Sequence, residues 1–595
     1  MSGKAKWAKI FSAVVVTTMV LSACAAPTPE VVEKVVEKVV TQVVKETVVV
    51  QATPQIIEKV VTKVVEVTPE PTPAPAWFKP EYANRYGGVL HTAWSTTSPT
   101  LDTMTGMAAM TCYPGQMMFE TLIAYDEGYN IAPMLAESWE ASDNSRTWTF
   151  HLRKGVKFHN GKEMTSEDVK ASFDRYMTPG VGVRQGQFAL LESWEAIDDY
   201  TFAIHLREPS LAILGALAYP VGDLVIMPKE VIEGKKAGDL KAPTQYDPNV
   251  THDLIGTGPY KLVEWKPDEY IRFQRNELYQ PLPSDYSGLA GGKIPYFDEV
   301  YYHFVPEAQV RVGGIEIGKY DWIGDLPESE FARLKESTDV RPYTTGGAWA
   351  LMILFNHANW PTSDVRFRQA VLAALDIEEV ALAAAGGVPE FVRLNPSIFV
   401  PEGPWYIEDD PVAKELYNQN NPEKAKQLLA EMGYNGQEVI MVFGLPGKYE
   451  RMMVAVADQL KKRVGINMTV EKLDWPGTRA RWEEKETWHM STTGYLSQVI
   501  FNPDALASFW HSKSASSERG FYANPAMDAA FETAAKALTP EDRKAAFKEV
   551  QRLYYQDLPN IKVHDYFAAE AIRTEIKGHK TWYRSNRFWG IWREK

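Results

Sequence analysis

Apolar residues change period repeatedly along this chain, and each change marks an element. Trp148, Phe150 and Leu152 alternate with Thr149 and His151, the period of a strand with one buried face. Val156 and Phe158 predict a second short strand, and Asn160-Gly161 supplies positive-φ residues for a tight turn. Thr165-Ser166-Glu167-Asp168 has the spacing of a capping box, after which Val169, Phe173 and Tyr176 recur at helical intervals. Phe202, Ile204 and Leu206 share one face of a later strand, and residues 89–94, 261–265, 271–273 and 350–356 read as further strands. Three helices announce themselves by their starts. Ser363-Asp364 precedes Val365, Leu372 and Leu375; Asn421-Pro422-Glu423 precedes Ala425, Leu428, Leu429 and Met432, with Gly433 as the stop; Thr539-Pro540-Glu541 precedes Phe547, Val550 and Tyr554. Strands and helices are mixed throughout, which predicts an α/β fold. The 519 residues from Trp77 to Lys595 exceed what one core organises, so two large lobes are the minimum.

The beginning of the chain follows different rules. Lys4, Lys6 and Lys9 precede an apolar run over residues 10–21, too short to span a bilayer and of signal-peptide length. Leu21-Ser22-Ala23-Cys24 resembles the bacterial lipobox, which implies cleavage after residue 23 and lipidation of Cys24. Residues 24–76 read as a tether, with Val-Val-Glu-Lys recurring from Val31 and Val35 and prolines at 69, 71, 73 and 75. A short coiled coil and a disordered spacer are both compatible with that repeat. Removing residues 1–23 removes three lysines and no acids, taking the formal charge from −14 to −17. This acidic balance disfavours nucleic acid as the main partner. Cys112 is the only other cysteine, so no internal disulfide can form once Cys24 is used, and a buried structural thiol is expected.

Residues 135–175, with Leu135-Ala136-Glu137-Ser138-Trp139, His151-Leu152-Arg153-Lys154-Gly155-Val156-Lys157-Phe158-His159-Asn160-Gly161 and Thr165-Ser166-Glu167-Asp168-Val169, closely resemble a family signature. The family is the extracytoplasmic solute-binding proteins of ABC importers, oligopeptide-binding type. Gly256-Thr257-Gly258-Pro259-Tyr260, the set Asp364, Arg366, Arg368 and Ala370, and the segment 421–434 are similar to further family motifs. The resemblance covers residues 85–590. It implies a periplasmic-binding-protein-like fold of type II, cluster C: two large lobes with a hinge and an inserted smaller α+β domain. The implied layout is lobe I at 77–118, 255–347 and 562–595, the insert at 119–254, and lobe II at 348–561. It further implies an extracytoplasmic, lipid-anchored and monomeric receptor that traps an oligopeptide or oligosaccharide by hinge closure and passes it to permease subunits.

The chain lacks G-x-S-x-G, H-E-x-x-H, C-x-x-C and Walker patterns. Asp198-Asp199 and Asp409-Asp410 read as exposed turns and the eleven histidines are scattered. No cofactor, metal site or catalytic residue is therefore expected. A binding cleft fits the 18 Trp and 28 Tyr better, because aromatics offer large apolar area with a polar handle. The candidates are Trp94, Ser95, Tyr113, Trp349, Asn356, Trp475, Tyr495, Phe501, Asn502 and Trp510. One departure from the family bears on the ligand. Its peptide binders carry an acid that meets the peptide α-amino group, in a segment corresponding to residues 494–504; here no acid precedes Pro503, and Asp504 serves only if the loop is shifted. That favours neutral ligands such as oligosaccharides while leaving peptides open, since a buried unpaired ammonium is costly. A ligand-presenting signalling receptor, a metal-chelate receptor and a secreted hydrolase are the alternative readings.

Overall fold

The computed structural model describes residues 74–142, 145–244, 252–346, 349–496, 501–514, 520–583 and 587–595. The basic start, Cys24 and the tether up to residue 73 lie outside the described residues. Trp77 is buried, with its ring 5.4 Å from that of Tyr86 and the Arg275 guanidinium 4.5 Å over its face.

Val89–Trp94, the first expected strand, lies in the middle of a seven-stranded sheet. The order is Val340–Thr344, Ala569–Arg573, Trp322–Ile323, Val89–Trp94, Glu299–Phe304, Tyr270–Arg275 and Tyr260–Lys266. Val89–Trp94 pairs in parallel with Glu299–Phe304, from Val89↔Glu299 to Trp94↔Phe304. The residues between these neighbours include a separate four-stranded antiparallel sheet, ordered Ala136–Ser142, Thr147–Leu152, Thr201–Leu206 and Leu191–Asp198. Thr147–Leu152 alternates between half-buried and buried along its whole length, as its sequence period requires. Helix Ser166–Tyr176 covers the buried face, with Phe173 4.9 Å from the Phe202 ring. The capping box at its start is present: the Thr165 backbone N–H donates to Asp168 Oδ2 at 2.9 Å. Buried Asp168 also takes Lys162 Nζ at 2.6 Å and the Lys229 N–H at 2.8 Å, so one carboxylate joins the helix to two loops.

The second strand expected at Val156 and Phe158 is reduced to a single bridge between Lys157 and Glu163. Gly161 makes its turn at φ +87°, but Gly155 at φ +75° bends the chain immediately before, leaving too few extended residues for a ladder.

The second large sheet is ordered Val392–Arg393, Asn560–Tyr566, Trp349–Phe355, Met490–Leu496, Val439–Phe443 and Met468–Lys472. Helices Val365–Ala374, Pro422–Glu431 and Pro540–Asp557 begin where their caps predicted, with Asp364, Asn421 and Thr539 each accepting a first-turn backbone N–H. The first large sheet and the small sheet share one apolar core, and the second large sheet organises another.

The chain crosses between the large sheets twice, after Thr344 and after Tyr566. The crossings run side by side, with the Thr345 N–H donating to the Ala568 carbonyl at 2.8 Å. The lobe boundary expected at 561/562 falls inside Asn560–Tyr566, which is buried along its whole length in the second sheet, so the crossing comes later. Cys112 is wholly buried in helix Ala109–Met118, and desolvation pushes its thiol up to about 12, the inert state expected of a structural cysteine.

Candidate functional site

Phe501-Asn502-Pro503-Asp504 follows strand Met490–Leu496 in the chain. Asn502 caps a short 3₁₀ turn, Pro503–Leu506, its Oδ1 accepting the Asp504 N–H at 3.1 Å. Arg543, from the first turns of helix Pro540–Asp557, donates to the same Oδ1 at 3.2 Å and forms an ion pair with Asp504. Burial raises the Asp504 carboxyl, and Arg543 opposes that shift. Asp504 is therefore already paired by Arg543.

Phe501 points the other way. Its ring lies 4.7 Å from Tyr583, 4.9 Å from Tyr125, 5.4 Å from Tyr129, 5.8 Å from Tyr219 and 5.9 Å from Trp582. Tyr125 Oη donates to the Phe501 carbonyl at 2.8 Å. Only 2% of Phe501 is exposed, and it belongs to the core of the first sheet although its segment follows a strand of the second. The loop thus docks one lobe on the other.

Two cavities share Asn502 in their walls. The first, of about 490 Å³, is walled by Tyr125, Tyr129, Leu211, Leu214, Trp405 and Phe501, with the Asn130 and Asn502 amides and the charges of Glu541, Arg543 and Lys544. The second, of about 620 Å³, runs from Met107 and Arg184 past Asn502 and Asp504 to His511 and Lys513. Both lie in the size range of small-molecule sites. The first can enclose an apolar body, accept and donate amide hydrogen bonds, and meet either sign of charge. Among the described residues no three His, Cys, Asp or Glu side chains gather as a metal would need.

Of the ten expected residues, the first cavity brings together Phe501 and Asn502, and Asn502 also reaches the second. The others stand elsewhere. Trp94 is core, stacked on Tyr302 at 5.2 Å and donating from Nε1 to Thr92, and Tyr113 is buried in the same core. Ser95 bonds to Asp325. Trp349 is half-buried at the edge of its strand, opposite Tyr566. The Asn356 amide is engaged in structure: Nδ2 donates to the carbonyls of Lys485 at 2.6 Å and Trp488 at 2.9 Å, while Oδ1 accepts from the Ala358 N–H. Tyr495 and Trp510 pack in the second core, Tyr495 Oη donating to the Ile398 carbonyl at 2.7 Å. Trp475 is 38% exposed, edge-on to Trp482, and lines neither cavity.

Cavity-lining residues outside the expected set include Tyr125, Tyr129, Trp405 and Arg543, and Tyr219, Trp582 and Tyr583 surround Phe501 beside them. They come from a hairpin, a loop of the small domain, a surface loop, the C-terminal segment and a helix start, and only the fold gathers them. The adjacent rings Trp582-Tyr583, set in a polar stretch, were the one local signal available.

A family model described as bacterial extracellular solute-binding proteins, family 5 Middle, matches residues 130–517. The chain is 27% identical over 479 residues to the probable peptide ABC transporter periplasmic-binding protein y4tO of Sinorhizobium fredii, spanning 78% of this chain and 85% of that protein. It is 28% identical to Heme-binding protein A of Haemophilus influenzae, over 78% of this chain and 84% of that one. The structure superposes on Helicobacter pylori DppA in complex with peptide STSA, with a TM-score of 0.69 and 24% identity over 87% of this chain and all of that one. Listeria monocytogenes CtaP gives a TM-score of 0.73 at 21% identity, over 86% of this chain and all of that one.

Proposed function

This chain belongs to the bacterial extracellular solute-binding proteins of family 5, and on that premise we propose that it captures a short peptide between its lobes and delivers it to an ABC permease. Its fold is that of the type II periplasmic binding proteins. The family consists of transport receptors, which sets the hydrolase reading aside.

The observation that carries the peptide reading is the lining of the 490 Å³ cavity. Glu541 faces it together with Arg543 and Lys544, so its wall offers both an acid and cations. A zwitterionic peptide presents the complementary pair of charges, an amine to Glu541 and a carboxylate to Lys544, Arg543 being engaged by Asp504. Glu541 takes the amine in this reading, since Asp504 is held by Arg543. The peptide binders among the relatives support the same class. Capture proceeds by hinge closure about the paired crossings near Thr345 and Ala568. Cys24 carries the lipid anchor, and Cys24→Ser should release the protein from the membrane fraction; retention there would exclude it.

A thermal-shift series with residues 74–595 tests the ligand class. A tripeptide at a hundredfold excess over its Kd should stabilise the fold by about 2.7 kcal/mol. Stabilisation by oligosaccharides alone would overturn the peptide assignment.

A further inference from the structure

Five rings form a cage around Phe501. Tyr219 is 1% exposed and Trp582 4% exposed, and both present polar atoms, Oη and Nε1, without a hydrogen-bond partner among the described residues. Both rings are roughly perpendicular to that of Phe501, at 75° and 66°. A buried donor left unpaired costs about 1–3 kcal/mol, and a phenylalanine ring has no oxygen with which to relieve it. The cage also abuts the 490 Å³ cavity, with which it shares Tyr125, Tyr129 and Phe501. Every ring of the cage except that of Phe501 belongs to segments preceding the first crossing or following the second.

We infer that this cage is a side-chain subsite for a phenolic ring of the ligand, and that Phe501 holds it as an intramolecular stand-in which the incoming ring displaces. The inference rests on the binding-protein reading above and names the substrate class that the cleft takes: a peptide with a tyrosine-like side chain. Its ring replaces Phe501 among Tyr125, Tyr129 and Tyr583. Its hydroxyl oxygen accepts from Trp582 Nε1 and exchanges a hydrogen bond with Tyr219. Phe501 competes for the same space, so it lowers apparent affinity and removes ligands too small to dislodge it. A site built to bond a hydroxyl discriminates strongly against analogues that lack one.

Calorimetry on the full chain and on Phe501→Ala, with p-cresol and toluene as probes, separates the subsite from the transport role. Phe501→Ala should bind p-cresol at least about tenfold more tightly than the wild type does, and more tightly than toluene. Tyr219→Phe in that background should erase the preference over toluene. Equal binding of p-cresol to Phe501→Ala and wild type would overturn the subsite. Phe501→Leu, a smaller change, should show the same trend if the alanine variant folds poorly. In the unmodified chain, saturating Ala-Tyr-Ala should speed hydrogen exchange at residues 501–506, and unchanged exchange would also overturn the inference. Binding of p-cresol without binding of any peptide would keep the subsite and defeat the peptide-transport reading instead.

Discussion

Asp223 illustrates how one residue records its surroundings. It lies in the loop after Tyr219, almost wholly buried, and its Oδ1 lacks a partner among the described residues. Desolvation raises its carboxyl to about 6, with Arg184 and Lys293 only partly opposing. A raised folded-state value means that the folded chain holds the proton more tightly than the unfolded chain does. The stability from this group is complete below about pH 4 and is lost as pH rises through about 6. Asp223→Asn removes that loss. Between pH 4 and pH 8 the variant should gain about 3 kcal/mol relative to wild type, read from urea unfolding at both pH values. An identical difference at the two values would show that Asp223 titrates normally. Asn356 makes the opposite point. A strand-end asparagine in the sequence looks free to meet a ligand, yet its amide is consumed by the carbonyls of Lys485 and Trp488.

At the scale of elements, Arg368 explains why a family-like helix motif carries a second arginine. It is buried, and its guanidinium donates to the carbonyls of Thr362, Ser363, Asp557 and Leu558 at 2.6–3.0 Å. Asp557 and Leu558 end helix Pro540–Asp557, so Arg368 satisfies carbonyls that a helix end leaves without partners. Burial lowers its pKa to about 10, which still leaves it charged at neutral pH. Arg368→Met keeps the apolar stem and strands those carbonyls. It should cost about 3 kcal/mol, seen as a lower urea midpoint at unchanged m-value. A midpoint within experimental error of wild type would mean that water replaces the guanidinium.

At the scale of the whole molecule, the first crossing packs closely against the backbone of the cage. Gly346 lies in the first crossing, and a Cβ there would stand 2.8 Å from the Tyr583 nitrogen and 2.9 Å from Trp582 Cα. Those contacts are to backbone, which cannot swing aside. Gly346→Ala should therefore push residues 582–583 away from Phe501 and disfavour the docked arrangement by about 1–3 kcal/mol. Small-angle scattering of residues 74–595 should show a larger radius for the variant, and a bound tripeptide should compact it less than wild type. Identical radii with and without ligand would argue against coupling between hinge and cleft. The acidic balance noted in the sequence also belongs to this scale, since it sets long-range partners and not contacts inside the cleft.

What the sequence by itself determined is local. The alternation in Thr147–Leu152, the box at Thr165 and Asp168, and the caps at Asp364, Asn421 and Thr539 depend on residues within one or two turns, and all reappear in the structure. The family motifs carried the fold class for the same reason, since they encode turns and caps of the scaffold. The expected strand at Val156 and Phe158 failed locally, because Gly155 bends the chain. Of the residues expected from sequence, the candidate cavity is lined by Phe501 and Asn502. Its other walls lie on segments hundreds of residues apart, such as Tyr125 and Arg543. Whether a Trp or Tyr faces a cleft or a core depends on which sheet face packs against which helix. Trp94, Tyr113, Tyr495 and Trp510 have the composition of cleft residues and the environment of core residues. Burial and long-range pairing are properties of the packed chain, and no window of sequence contains them.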